Sequence, residues 1–130
     1  MIFKRQEGFR YVFGEPLEAG VVVLIDGKPL DIERKRITCE VLDISPRGLK
    51  MAIDEDFNEY KNKVLKLEIS FMLDSIEIKC IGEIVWSKKF GSGYHYGIIF
   101  FNQSNVEELI INELKARRRK EVLQTKIKID

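Results

Sequence analysis

Leu65, Leu67, Ile69 and Phe71 alternate without a break against Lys66, Glu68 and Ser70. A period of two places all the apolar side chains of such a stretch on one face and the polar ones on the other, the pattern of a half-buried strand. Similar segments recur along the chain. Residues 21–25 form a β-branched run that ends in the turn pair Asp26-Gly27. A second strand is expected over about residues 31–44, with Ile37, Cys39 and Val41 facing one way and Arg36, Thr38 and Glu40 the other. Pro46 and Gly48 interrupt it before residues 49–53 resume. Asp74-Ser75 turns the chain into Ile76, Ile78 and Cys80, a strand continuing past Gly82 to Ile84 and Trp86. Gly91-Ser92-Gly93 makes the next turn, into residues 94–101. Short strands in hairpin order predict an all-β fold, a closed antiparallel barrel of about six strands.

A helix signal follows only after the last strand. Asn105 and Glu108 have the spacing of a capping box, and Val106, Leu109, Ile110 and Leu114 form an apolar stripe. Lys115 to Lys120 then sit at the negative end of the helix dipole. The organisation expected is one domain over residues 1–120. It comprises an arm at 1–16, a barrel at 17–103 and a terminal helix at 105–119, with residues 121–130 as a frayed tail.

Composition narrows the functions. The 130 residues carry 22 Lys and Arg against 21 Asp and Glu, too even a balance for sequence-blind nucleic-acid binding. A nucleic-acid reading of Arg117, Arg118, Arg119 and Lys120 is weaker than the dipole reading of the same residues. Cys39 and Cys80 stand singly in apolar stretches and read as buried free thiols. They form no zinc-ligand pattern with His95, the single histidine. Asp54, Asp56 and Asn58 resemble the opening of a calcium loop. Glu59 stands where that loop needs glycine and Leu65 where it needs a bidentate glutamate, so a solvated acidic loop is the better reading. No phosphate-binding glycine loop is present, and no nucleophile–histidine–carboxylate set assembles around His95. The chain is therefore read as a non-enzyme without cofactor or metal. The N-terminal residues lack the apolar core of a signal peptide and no apolar run is long enough to span a bilayer, so a cytoplasmic location is expected.

Two segments can carry recognition. In Asp43-Ile44-Ser45-Pro46-Arg47-Gly48, the carboxylate and hydroxyl two residues apart can face one ligand, and Gly48 allows a turn or a close approach. A strand-ending turn with Ser45 capping its own backbone is the plainer account of that fragment. In Lys4-Arg5-Gln6-Glu7-Gly8-Phe9-Arg10, guanidinium forks suit phosphate oxygens and the guanine O6/N7 edge. A solvated basic terminus is the plain account there.

Together these residues resemble the PilZ domain family, in small single-domain proteins of the Gram-positive type. Its signature is an RxxxR arm followed some thirty residues on by [D/N]xSxxG. Asp43, Ser45 and Gly48 match the second motif position for position. The stretches Ile81-Gly82-Glu83-Ile84-Val85-Trp86-Ser87 and Gly93-Tyr94-His95-Tyr96-Gly97-Ile98-Ile99-Phe100 are similar to the family's late strands. The resemblance implies a six-stranded barrel with a terminal helix and cyclic di-GMP, a bacterial second messenger, bound on the outer barrel surface. It implies Arg10 as the second arginine of the arm, with Asp43, Ser45 and Gly48 in their usual roles. Gln6 stands at the first-arginine position, so Arg5 is the expected substitute and Arg47 a further candidate. The function implied is a receptor that signals through ligand-dependent contacts with a protein partner, with a homodimer conceivable and neither DNA nor RNA bound. The alternative is an adaptor of the same fold that no longer binds nucleotide.

Overall fold

A computed structural model of the chain describes residues 10–29, 36–60, 64–101 and 104–129, with the backbone alone at 59, 104 and 125–129. Its strands are β1 (Tyr11–Ile25), β2 (Lys28–Pro29), β3 (Ile37–Ser45), β4 (Gly48–Ile53), β5 (Leu65–Met72), β6 (Glu77–Phe90) and β7 (Gly93–Phe100); the helix α1 (Ser104–Ile129) follows. Neighbouring strands run in the order β2-β1-β3-β4-β7-β6-β5, and β1 also pairs with β5. All pairings are antiparallel. The six long strands thus close into the expected barrel, which leaves few sheet edges open.

The period-two patterns fill its interior. Leu67, Ile69 and Phe71 of β5 and Cys39 and Val41 of β3 are buried together with Val21, Met51, Ile78 and Tyr96. Each large side chain removed from water in this way contributes roughly 1.5–3 kcal/mol. At the end of β1, Asp26 and Gly27 both take positive φ, 52° and 82°, and return the chain into β2. Burial pushes the thiols of Cys39 and Cys80 up to about 12, so both remain protonated at neutral pH. No helix among the described residues is long and apolar enough to cross a membrane.

The ends of the chain differ from the sequence expectation. The arm was expected to stay loop-like to residue 16, yet β1 begins at Tyr11 and pairs Tyr11 with Ile44 and Val12 with Asp43. Pairing breaks after Val12 and resumes at Leu17 opposite Val41. Gly14 and Pro16 therefore mark an irregularity inside a strand, where bulges commonly sit. The helix continues through Ile129 where a tail was expected from Glu121. No Gly or Pro follows Ser104 to stop it.

The helix crosses one end of the barrel. Ile110 and Leu114 are fully buried there, whereas Leu109 of the predicted stripe is partly exposed at 38%. Between the two sits Glu113, whose Oε1 accepts backbone N–H bonds from Asp74 (3.2 Å), Ser75 (2.8 Å) and Ile76 (3.1 Å). One carboxylate thus satisfies the donors of the β5–β6 turn. Arg117 donates to the Leu73 carbonyl at 2.8 Å and stacks over Tyr11 and Phe13, and Lys120 pairs with Asp74 at 3.0 Å. Part of the basic cluster at 117–120 therefore ties helix to barrel.

Burial alone would raise the pKa of Glu113, but the hydrogen bonds from Ser75, Ile76 and Asp74 hold it below its ordinary value of 4.5. A carboxylate depressed in the folded state adds stability that is full above its unfolded value and is lost as pH falls through the folded one. The melting temperature should therefore fall as pH drops through 4.5 and below. Glu113→Gln should lose about 1–3 kcal/mol at pH 7 and flatten that acid slope. Unfolding curves of the two proteins from pH 7 to 3 check this; coincident curves would contradict it.

Candidate functional site

Two bulges aim the side chains of one groove. Val41 pairs with Met51 and Asp43 with Lys50, so β3 carries an extra residue between them. An unbroken strand would place Asp43 on the same face as Val41, in the core. The extra residue inverts the alternation: Val41 and Ile44 are both fully buried in the core, and Asp43 and Ser45 take the opposite face, where both remain largely covered. Strand β6 does the same between Ile84, opposite Ile98, and Trp86, opposite Gly97. Trp86, which unbroken alternation from Ile84 would turn inward, lies instead on the outer face with 43% of its surface exposed.

Arg10 stands immediately before the Tyr11–Ile44 pair, and that register delivers its guanidinium to Asp43. The Nη1–Oδ1 distance is 2.9 Å. Asp43 keeps only 9% of its side chain open, while Arg10 keeps 49%. The carboxylate is therefore occupied in fixing the arginine, and the rest of the guanidinium faces solvent with donors to spare. Ser45 Oγ donates to the Gly48 carbonyl at 3.2 Å across the tight β3–β4 turn, as the plainer sequence reading has it. Gly48 is required by space. A Cβ there would fall against the carbonyl oxygen of Ile98, far inside van der Waals contact.

Arg10, Ser45 and Gly48 line an open groove of about 340 Å³ with Arg47, Lys50, Trp86, Gly97 and Ile99, and Asp43 takes part through its hold on Arg10. The indole lies against Gly97, where a side chain would displace it. Arg47 pairs loosely with Glu107 of α1, Nε to Oε1 3.4 Å, and is otherwise exposed. Three cations and an exposed aromatic face therefore surround one hydroxyl, which suits a planar, anionic ligand. A larger hollow of about 740 Å³ on the barrel carries Glu18, Glu40 and Asp54 beside His95 and contains none of the predicted residues. Its carboxylates would repel an anion.

The structure thus brings Arg10, Asp43, Ser45, Gly48 and Arg47 to one place, while Arg5 lies outside the described residues. Sequence reasoning missed Lys50 and Trp86. The signal available was a lone tryptophan followed eleven residues later by Gly97 on the next strand, the small partner its ring needs.

The family model described as PilZ domain matches residues 5–116. The chain belongs to the PilZ domain family. Among solved structures it is similar to the PilZ domain with c-di-GMP of YcgR from Escherichia coli, with a TM-score of 0.60 at 12% identity over 88% of this chain and 94% of that one. At that identity the likeness speaks for the fold. No curated protein matches the sequence.

Proposed function

We propose that this PilZ domain binds cyclic di-GMP in the groove between the two bulges and acts as a receptor, not as an enzyme. The observation that carries the reading is Arg10, held at 2.9 Å by a nearly buried Asp43 yet half open to solvent beside Ser45. A pre-positioned guanidinium loses little freedom on binding and can meet a phosphate or a guanine edge with two parallel bonds. Asp43 orients it, Ser45 offers a hydroxyl, and Gly48 keeps the floor close to the backbone. Lys50 and Arg47 add positive charge, and Trp86 offers a ring face to a base. The similar domain of YcgR was solved with c-di-GMP, which supports the same ligand class here. Arg5 would complete the cationic arm in place of Gln6. Bound ligand would then bridge arm and barrel and present a new surface to a protein partner.

Trp86 is the chain's one tryptophan, so its emission reports on the groove. Cyclic di-GMP should change that emission along a saturating curve. Asp43→Ala and Ser45→Ala should move the midpoint to higher ligand concentration and leave the far-ultraviolet circular dichroism unchanged. Arg5→Ala should approach the effect of losing Arg10, with Gln6→Ala nearly silent. Equal midpoints for wild type and Arg5→Ala would withdraw Arg5 and make Arg47 the next residue to vary.

Gln6 also favours a second reading, an adaptor of the same fold without nucleotide. Flat emission at high micromolar cyclic di-GMP would select it.

A further inference from the structure

Strand β6 runs further than its neighbour on one side. It pairs with β5 only from Glu77 to Gly82, whereas its pairing with β7 extends to Phe90. Beyond Gly82, then, β6 has a partner strand on one edge alone among the described residues. Among the described residues, the backbone hydrogen bonds outside helices and strands join Asp26 to Val64, Phe100 to Arg47 and Phe101 to Ile81, and none of these reaches residues 85–90. Gly91, at φ 62°, closes the β6–β7 hairpin with a two-residue loop, so Phe90 and Gly93 form its first hydrogen-bonded pair. By the alternation of an antiparallel ladder, Lys88 and Trp86 also bond to β7. The backbone groups of Ser87 and Lys89 therefore point away from β7, at an edge that no described strand pairs.

We propose that this edge is a docking strand for an extended segment of a protein partner that carries adjacent carboxylates between apolar residues. Backbone pairing would supply the main-chain bonds, and alternate side chains would supply selectivity. Trp86 (43% exposed) and Phe90 (62% exposed) flank Lys88 on one face, and Lys89 lies on the other. No Asp or Glu occurs between Glu83 and Glu107, so the part of the hairpin beyond Glu83 has no carboxylate of its own. Edge lysines discourage pairing with neutral or basic strands, and a partner with acids opposite both is the one they admit. A second copy fits poorly, because twofold pairing centred on Lys88 sets lysine against lysine. The inference stands on the strand edge and does not depend on nucleotide binding. It supplies the chemistry of the partner that a receptor needs, beginning at Trp86 on the rim of the ligand groove.

The test is fluorescence anisotropy of a fluorescein-labelled peptide, Thr-Val-Glu-Glu-Thr-Val-Thr, titrated with the full chain at low salt without nucleotide. Saturable binding is expected. Lys88→Glu with Lys89→Glu should weaken it at least about tenfold and restore affinity toward the same peptide with lysines in place of its glutamates. Lys89→Pro, which removes an edge-facing N–H and leaves the β7 ladder intact, should also weaken it. Circular dichroism melts establish that each variant is folded. Absent binding by folded wild type, binding indifferent to both charge reversal and proline, or concentration-dependent dimerisation lost in Lys89→Pro would each overturn the proposal. A peptide result of either sign leaves the Trp86 titration unaffected, so the two readings fail separately.

Discussion

Arg10→Ala is expected to lower the affinity for cyclic di-GMP at least about tenfold, the largest loss of any single side chain in the groove. A charge-assisted hydrogen bond is worth about 1.5–3 kcal/mol, and every 1.4 kcal/mol is a factor of ten. Arg10 can supply two such bonds in parallel, or one bond and a stacked face; Lys50 offers only a point charge, and Arg47 is engaged with Glu107. The same change leaves the nearly buried Asp43 without its 2.9 Å partner, so the free protein should also lose some stability. Arg10→Lys separates the two effects. It keeps a cation for Asp43 but loses the planar fork, so stability should largely return while affinity stays well below wild type. Full recovery of affinity by lysine would mean that Arg10 acts as a bare charge.

Gly48→Ala should destabilise the barrel by about 1–3 kcal/mol or more, for reasons of space. The new methyl would meet the Ile98 carbonyl, a backbone atom that cannot turn aside, and β4 and β7 would have to part at the pair Gly48–Ile99. Gly14→Ala is the natural control, because nothing lies within 4 Å of a Cβ at that position. Chemical denaturation of both variants measures the difference. Equal stabilities would mean that the close approach at Gly48 carries no cost. Because Gly48 belongs to the groove, its loss should weaken ligand binding too, through the displaced floor.

The strands with unbroken alternation were legible because burial on one face alone dictates a period of two; 65–71 and 37–41 needed nothing more. The DxSxxG motif was legible as residues but not as geometry. What turns Asp43 and Ser45 outward is a bulge, and bulges depend on register with β4, which no local pattern encodes. The same limit explains Trp86, which simple alternation counts as inward. Gly14 and Pro16 looked like the end of a loop because they interrupt periodicity, yet Tyr11 and Val12 pair across the break. Glu113 shows a third kind of blindness. A carboxylate beside Leu114 on an apolar stripe looks like a fault in the stripe until the turn at Asp74–Ile76 brings three N–H groups to it. The helix beyond Lys120 was missed because its apolar stripe weakens there, although Glu121, Leu123, Gln124, Lys126 and Lys128 are good helix formers and no stop signal intervenes.

Isothermal titration calorimetry of the full chain with cyclic di-GMP tests the central claim most directly. The account predicts saturable heat from the wild type, with Arg10→Ala at least about tenfold weaker. No heat above dilution from folded wild-type protein at high micromolar ligand, or equal isotherms for wild type and Arg10→Ala, would contradict it.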